Sequence, residues 1–403
     1  MSDPYYDPNE TPAGSAGLPS PPGPAPNAPS APPGPDGSPW PDPAPPHALP
    51  RTPEPATAFE YEPSRHSYPA MDGTRRPTRI PAPPGGAGPA TNRVRIGLWG
   101  APRSGKTTYL AALPIAAMQQ QRYGRPNWVI GGMNPESNEF LSDGVTQLSI
   151  QRVFPDATVG LRSLSWSFQG EATSSGAFRR RVREVGFVLE TQDVTGEAYR
   201  GDEENALRRR VLDQLADSQG LVYLFDPLLD AQRATESLNF LFSTLNELNS
   251  RVRDAGGLHR NRLPHHVSIC VTKFDHPDVF RPAVEAGWVT QDSVGSQLPG
   301  VPTEQAARFF QWMCDDFRGS TARLVRDGLS NYFHPERISY YATSAIGFRL
   351  NPQHIFDYSN YLNVESVDGV PRICTSPVPI NVLEPLTELE NRIHDRKPKW
   401  RTR

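Results

Sequence analysis

The sequence RIGLWGAPRSGKTTYL, at residues Arg95–Leu110, carries the strongest indication of the fold. Within it, Gly100–Thr107 match the pattern Gly-x-x-x-x-Gly-Lys-Thr, in which a glycine-rich turn connects a strand to a helix. A largely apolar run, Val94–Trp99, precedes the turn, and apolar residues at helical spacing follow it over Lys106–Gln120. Strand, turn and helix therefore occur in the order that a phosphate-binding loop requires.

In such a loop, backbone amides and the N-terminus of the helix bind the phosphates of a nucleotide. The pattern predicts that Lys106 contacts the outer phosphates and that the Thr107 hydroxyl binds Mg²⁺. The predicted nucleotide-binding residues of this stretch are Gly100, Ala101, Pro102, Arg103, Ser104, Gly105, Lys106, Thr107 and Thr108. Arg103 stands where small residues are common, and we expect it to face solvent or a partner. The alternative is a cation that stabilises the transferring phosphate in cis.

Strand and helix patterns alternate along the rest of the folded part. Strands are predicted at 161–168, 183–193, 220–225, 266–272 and 337–344, and helices at 134–153, 207–215, 238–252, 303–325 and 381–393. The first two of these strands are expected to form a hairpin. This alternation predicts an α/β fold with a mostly parallel sheet covered by helices on both faces. Together with the phosphate-loop pattern, it is typical of a P-loop NTPase.

The first 90 residues have a different composition from the rest of the chain. More than half of the 45 prolines precede residue 91, and Leu, Ile and Val are scarce there. Such a segment cannot bury enough apolar surface to offset the entropy of ordering. We predict a disordered proline-rich tail at 1–90, acting as a tether or as a ligand for aromatic grooves, and one folded domain at 91–403.

Several classes of function are not supported by the composition. A formal net charge of −3 does not indicate a basic surface that would bind nucleic acid. No apolar run reaches the roughly 18 residues that span a bilayer, so no membrane insertion is expected. Three cysteines without metal-ligand spacing, and no signal peptide, indicate the cytoplasm. The pair His265-His266 is interpreted as a surface turn rather than a metal site, and Asp226-Pro227 as a turn that ends a strand.

Three further motifs follow predicted strands. Asp193-Val194-Thr195-Gly196 offers a carboxylate for Mg²⁺, through water, and the Gly196 amide for the terminal phosphate. In Thr272-Lys273-Phe274-Asp275, the two oxygens of Asp275 can accept from the ring N1–H and the exocyclic amine of guanine, whereas adenine offers no such donor pair on that edge. The segment Thr343-Ser344-Ala345, after the strand at 337–344, resembles the GTPase loop whose backbone amide binds the guanine carbonyl oxygen, which implies that role for the loop at Ser344 and Ala345.

With these motifs in this order, residues 93–396 resemble a GTPase of the Ras-like and translation-factor class of P-loop proteins. A narrower similarity is to the bacterial double-GTPase families of predicted conflict systems. It is carried by RIGLWGAPRSGKTTYL and by the closing VPINVLEPLTEL. The resemblance implies binding of GTP and GDP with Mg²⁺, and a protein partner that is itself a GTPase.

The resemblance also implies residues for catalysis, which here are Lys106, Thr158 and Glu197. Thr158, in FPDATVG, stands where a switch threonine closes over Mg²⁺, with Thr146 and Thr173 as competitors. Glu197 stands where many GTPases carry a water-orienting glutamine. At about 4 Å and an effective dielectric of about 20, its repulsion from a phosphate charge costs roughly 4 kcal/mol.

The sequence leaves three functions open. The first is a cytoplasmic molecular switch that hydrolyses GTP slowly. The second, which Glu197 favours, is a pseudo-GTPase scaffold that holds nucleotide without hydrolysis. The third is an ATP-dependent kinase or ATPase with a coincidental Thr-Lys-x-Asp, although no arginine-rich lid supports it.

Overall fold

The apolar runs of the sequence form one central sheet. The computed structural model describes residues 93–120, 126–156, 161–176, 179–194, 202–232 and 234–395, all within one compact unit. The tail predicted at 1–90 lies outside the described residues, and the domain boundary at 90–91 stays a prediction.

The first half of the folded part carries the phosphate-loop motif and the hairpin. Its elements are β1 Val94–Gly100, α1 Lys106–Gln119, β2 Trp128–Gly132, α2 Pro135–Val145, β3 Leu161–Gly176, β4 Arg179–Val194, α3 Asp202–Asp217, β5 Gly220–Phe225, α4 Pro227–Gln232 and α5 Ala234–Asp254. A π-helical turn, Thr146–Gln151, continues α2.

The second half carries the base motif and a long insertion before the last helix. Its elements are β6 His266–Val271, α6 Pro277–Glu285, β7 Thr290–Gln291, β8 Pro299–Gly300, α7 Ala306–Trp312, α8 Ser320–Tyr332, β9 Ile338–Ala342, β10 Val364–Val367, β11 Val370–Ile373 and α9 Glu384–Asp395. The pairs β7–β8 and β10–β11 form small two-stranded sheets of their own.

Among the described residues, seven strands make the central sheet, in the order β2-β3-β4-β1-β5-β6-β9. The neighbouring strands β4, β1, β5, β6 and β9 are parallel to one another. Strand β3 pairs antiparallel with both β2 and β4. The predicted hairpin is therefore confirmed, and its strands are longer than the apolar pattern indicated. The predicted α/β fold class is confirmed as well.

Helices cover both faces of the sheet because its central strands are apolar on both sides. Val222 and Leu224 of β5 pack into the layer that holds α1 and α9, whereas Leu221, Tyr223 and Phe225 pack into the layer of α3, α5 and α8. All six residues of β5 and of β6 are buried. The run GLVYLF of β5 is apolar throughout because both of its faces are buried, as is usual for a central parallel strand. No helix in the described ranges is both long and apolar enough to cross a bilayer.

Some elements differ from the sequence-based expectation. Strand β2 was not predicted, because its short run ends in two glycines. The helix expected at 303–325 is interrupted by a π-helical turn, Met313–Phe317, and by Gly319, whose φ of 85° a non-glycine residue rarely adopts. Asp226-Pro227 does not form a simple turn, since Pro227 begins α4.

The pair His265-His266 does not form a surface turn, contrary to the prediction. His265 is 1% exposed and His266 is 6% exposed, at the start of the buried strand β6. Burial lowers the pKa of His265 to about 4, so this side chain is neutral in the folded protein at pH 7. Phe333 packs edge-on against the His265 ring.

Candidate functional site

The predicted motifs meet at one edge of the sheet. Strands β1, β5, β6 and β9 are parallel neighbours, so their carboxyl ends share an edge, and ligands of open α/β sheets bind at this edge. The phosphate loop follows β1, the Thr-Lys-x-Asp motif follows β6, and the Ser344 loop follows β9. The topology therefore brings together segments that are more than 200 residues apart in sequence.

The phosphate loop is a tight turn held by its own backbone. The Ser104 amide donates to the Ala101 carbonyl at 3.1 Å. Arg103 and Gly105 both have positive φ, 67° and 91°. A Cβ on Gly100 would lie 2.7 Å from the Ser104 Oγ and 2.9 Å from the Leu224 carbonyl oxygen, so only glycine fits at the end of β1.

The N-terminus of α1 is suited to an anion. Among the described residues, no side chain caps this 14-residue helix, and its first turn contains no acidic residue. The backbone amides of the first turn and the positive end of the helix dipole therefore face the loop. The half-buried Thr107 and Thr108 belong to this first turn, beside the exposed Arg103.

Lys106 lies over the loop rather than pointing into solvent. Its Nζ donates to the carbonyls of Gly100 and Ala101, at 3.0 Å each. Within the described residues, the buried Ser104 Oγ has no hydrogen-bond partner. A cation, an orphaned hydroxyl and an uncapped helix N-terminus form a donor set that fits a phosphate chain.

The base motif is connected to the phosphate loop through Thr272. Its Oγ1 donates to the carbonyls of Ser104 and Phe225, at 3.2 Å each, and its amide donates to the Phe225 carbonyl at 2.8 Å. The side chain is 6% exposed. A hydroxyl therefore joins the ends of β5 and β6 to the loop after β1.

Asp275 lies beside the loop after β9, as the base-binding prediction requires. The fully buried Ser344 donates its Oγ to the Asp275 Oδ1 at 2.5 Å. Burial raises the pKa of Asp275 above its ordinary value, and the hydrogen bond from Ser344 opposes that shift. A half-buried carboxylate held by one donor can accept a matched pair of N–H groups at little cost of reorganisation.

The loop after β9 has a shape that only glycine permits at one position. Gly347 has φ 66°, and a Cβ there would lie 2.0 Å from the Val378 carbonyl oxygen. Its amide donates to the Ser344 Oγ at 2.8 Å, so the serine that orients Asp275 is itself oriented. Ala345 is half-buried in this loop.

The insertion at 352–379 braces this loop. Asn363, 2% exposed, donates from Nδ2 to the Ile346 carbonyl at 3.2 Å and accepts at Oδ1 from the amide and hydroxyl of Thr375. Beyond it, the Ile373 amide donates to the Arg152 carbonyl at 2.9 Å. The insertion therefore connects the base loop to the segment that precedes Thr158.

One acidic residue of this edge was not recognised in the sequence as functional. Asp226, at the end of β5, is buried with a 1% exposed side chain, and its Oδ2 lies 2.6 Å from the Lys273 Nζ. Its Oδ1 accepts from the Leu228 amide at 2.9 Å, which caps α4. The sequence did offer a signal for Asp226: it is a carboxylate that directly follows a fully apolar strand, and that strand lies between two strands that carry motifs.

The Asp-x-x-Gly motif is described only in part. Asp193 is the penultimate residue of β4, three residues beyond Glu190, which pairs with Gly97 of β1. Its side chain lies outside the described residues, as do the whole of Thr158, Gly196 and Glu197 and the side chain of Thr173. The other competitor, Thr146, donates its hydroxyl to the Ser142 carbonyl within the α2 segment, at 2.9 Å.

No protein-family profile and no curated protein matches the chain. Several solved structures are similar to it, including the following two. The GTP-bound crystal structure of the Ski7 GTPase-like domain from S. cerevisiae has 10% identity and a TM-score of 0.33, covering 77% of this chain and 51% of that one. The signal recognition particle receptor SRb-GTP/SRX complex from Chaetomium thermophilum has 12% identity and a TM-score of 0.28, covering 63% of this chain and 94% of that one.

The chain thus spans about half the length of the Ski7 chain that it matches. Both TM-scores are below 0.5, so the fold assignment depends on the sheet order and the loop geometry described above.

Proposed function

We propose that this chain is a GTP-binding, Mg²⁺-dependent P-loop GTPase that acts as a cytoplasmic molecular switch. The observation that carries the proposal is the Thr272 hydroxyl, which joins the phosphate loop at the Ser104 carbonyl to the motif that holds Asp275. A phosphate loop alone is compatible with many nucleotides and reactions. A base-reading carboxylate fixed next to it restricts the choice.

Guanine suits this carboxylate better than adenine does. The Asp275 oxygens accept hydrogen bonds, and guanine offers two neighbouring N–H donors where adenine offers no such pair. Ser344 fixes Oδ1 at 2.5 Å, so the carboxylate is oriented before the base binds. This preorganisation supports GTP and GDP over ATP, and it disfavours the kinase or ATPase alternative.

The chemistry of the side chains also fits Mg²⁺. Mg²⁺ prefers oxygen ligands and keeps several waters, so two hydroxyls and one carboxylate suffice beside the phosphates. In our proposal Thr107, Asp193 and Thr158 supply these oxygens. The phosphates of the nucleotide and water would complete the coordination of the ion. Bound Mg²⁺ neutralises charge on the phosphates.

Hydrolysis by this chain alone is expected to be slow. Phosphoryl transfer depends on positioning and on charge stabilisation, and Lys106 supplies a fixed cation at the loop. A glutamate at position 197 adds repulsion where a glutamine is common, which reduces unaided turnover. We propose that a protein partner, a second GTPase, accelerates the reaction by supplying the missing positioning group.

The second candidate is a scaffold that binds guanine nucleotide without hydrolysing it. Glu197 is the residue that favours it. In that case the nucleotide stabilises the fold but is not consumed, and no partner restores turnover.

Binding is tested first, by thermal shift of the full chain with GTP, GDP and ATP. Ligand at about 100 times its dissociation constant stabilises the folded state by about 2.7 kcal/mol, which is readily detected. Stabilisation by the guanine nucleotides and not by ATP is expected. Equal stabilisation by ATP would contradict the proposal.

Hydrolysis is then tested by single-turnover phosphate release from wild type and Glu197→Gln, each with and without a candidate partner. We expect slow release by the wild type and faster release by the variant, because glutamine removes the repulsion. Lys106→Ala serves as the inactive control. If no protein released phosphate faster than this control, with or without the partner, the GTPase proposal would be wrong and the non-hydrolysing scaffold would be favoured.

A further inference from the structure

The hairpin of β10 and β11, within the insertion, is exposed to solvent on both faces. Asp368 and Gly369, with φ of 53° and 78°, make the two-residue turn between its strands, as in a type I′ turn. Seven of the eight strand residues are exposed, and only Ile373 is buried. The exposed apolar side chains of the hairpin are Val364, Val367 and Val370. Two strands alone are marginally stable in water, so this hairpin would gain stability from a further strand.

The edge of β11 is closed to such a strand. In an antiparallel pair, the backbone groups of successive residues point alternately toward the other strand and away from it. Val367 and Val370 flank the turn and pair with each other, so Pro371 and Ile373 point their amide nitrogens outward. Proline has no N–H to donate, and the Ile373 amide already donates to the Arg152 carbonyl at 2.9 Å. A further strand must therefore add to β10.

The outer edge of β10 consists of the backbone groups of Val364 and Ser366. Among the described residues, no hydrogen bond occupies the amides and carbonyls of these two. Two donors and two acceptors, spaced two residues apart, match the edge of another extended strand. The side chain of Leu362, two residues before Val364, is also exposed beside this edge.

We propose that β10 pairs antiparallel with β10 of a second copy of this chain, about a two-fold axis at Val364. An axis at Glu365 would set two carboxylates directly opposite each other, which is destabilising. An axis at Ser366 would set Val364 against Asp368 of the partner subunit. The axis at Val364 instead pairs valine with valine and brings both exposed Leu362 side chains next to that pair.

The charges of the hairpin are compatible with this contact. Glu365 lies opposite Arg372 in the register of the hairpin, on the face that also carries Val367 and Val370. One charge of each sign stands on that face, so two copies do not repel each other there. A two-fold contact uses the same surface on both subunits, and such dimers are the commonest oligomers. The inference does not depend on the nucleotide.

The test is sedimentation velocity of the nucleotide-free full chain over a range of concentrations. We expect the wild type to show a monomer–dimer equilibrium. Ser366→Pro should raise the dimer dissociation constant about 10-fold or more, because each copy loses one hydrogen bond across the axis. The hairpin should accept this proline, since Pro371 stands opposite Ser366 with its nitrogen also outward. Ser366→Ala keeps the amide and should dimerise as the wild type does.

Charged substitutions at Val364 test the axis directly, and they serve if Ser366→Pro fails to fold. Val364→Lys and Val364→Glu should each sediment as a monomer, because like charges then meet across the axis. An equimolar mixture of the two variants should form a dimer, because opposite charges then meet. Val129, on β2 with a 62% exposed side chain, gives the matched control, and Val129→Lys should dimerise normally.

A wild type that stays monomeric at every concentration would overturn the inference. So would a folded Ser366→Pro that dimerises as tightly as the wild type, or a mixture of the two Val364 variants that stays monomeric. A wild type that dimerises as expected but binds no guanine nucleotide would support this inference and overturn only the proposed function.

Discussion

The phosphate half and the base half of the candidate site are built in opposite ways. The phosphate half is one contiguous segment, Gly100–Thr108, whose turn is closed by its own backbone at Ser104 and Ala101. The base half is assembled from the loop after β6, the loop after β9 and an insertion around Asn363. A contiguous loop keeps its shape from local geometry, whereas the base half depends on contacts between segments far apart in sequence.

This difference predicts how each half responds to substitution. In the phosphate half a single side chain can be lost without disturbing the turn, so binding falls while the fold persists. In the base half, positions that never touch the nucleotide are expected to control both stability and affinity.

The largest effect is expected for Lys106→Ala. The lysine Nζ contacts the Gly100 and Ala101 carbonyls rather than the apolar core, so its loss removes the cation without opening a cavity. We expect no measurable GDP binding by calorimetry, with cooperative melting retained. Arg253, near the end of α5 with a 60% exposed side chain, gives the matched control, and Arg253→Gln should bind almost normally. If folded Lys106→Ala still bound GDP with wild-type affinity, the phosphate half would not bind the nucleotide as proposed.

A smaller loss of binding is expected for Asp275→Asn. The variant loses the acceptor pair for guanine and leaves donors of the base unpaired, which costs about 1 to 3 kcal/mol of binding free energy. ATP binding, measured by competition, should not change. Because burial raises the pKa of Asp275, its charge costs stability at pH 7, so the nucleotide-free variant should be no less stable than wild type.

Asp278→Asn is a suitable control for this substitution, since Asp278 lies in the first turn of α6 with a 73% exposed side chain. If GTP and ATP compete equally in the wild type, the base half does not read guanine.

Gly347→Ala examines the dependence of the base half on the insertion. Left-handed backbone costs a non-glycine residue about 1 to 2 kcal/mol, and the added Cβ would also clash with the Val378 carbonyl. Gly287→Ala is the matched control, because its φ is 75° and nothing lies within 4 Å of the added Cβ. Urea unfolding should show a larger loss for Gly347→Ala, accompanied by weaker GDP binding. Equal losses at the two positions would mean that Val378 does not constrain the loop.

The same contrast explains how much the sequence alone could predict. The strand, turn and helix around Gly100–Thr108 are local, so residue pattern sufficed, and the alternation of apolar runs predicted the sheet. Asp226 was interpreted as a strand-ending turn because its partner, Lys273, is 47 residues away. The burial of His265 was missed for a similar reason, since the packing of Phe333 against its ring is a tertiary contact. The close approach of Gly347 to Val378 has no local signature either.

The smallest effect, and the one that best separates the two halves, is the pH dependence of binding. Guanine needs the ionised form of Asp275, and burial raises the pKa of this carboxyl above its ordinary value in the nucleotide-free protein. The affinity of wild type for GDP should therefore fall as pH is lowered from neutrality through that raised pKa, while Asp275→Asn lacks this component. Adenine nucleotides should show no such difference between the two proteins.

The stability of the nucleotide-free protein should change with the opposite sign. Above the unfolded-state pKa of Asp275, the buried charge costs folding free energy, and protonation removes that cost as pH falls through the folded-state pKa. Wild type should thus gain stability relative to Asp275→Asn on acidification, while it loses its advantage in GDP affinity. His265, with a pKa lowered to about 4, titrates in both proteins and cancels in the difference. Parallel calorimetric and unfolding titrations measure the two slopes. If GDP affinity changed with pH equally in wild type and in Asp275→Asn, the base half would not act through an ionised carboxylate.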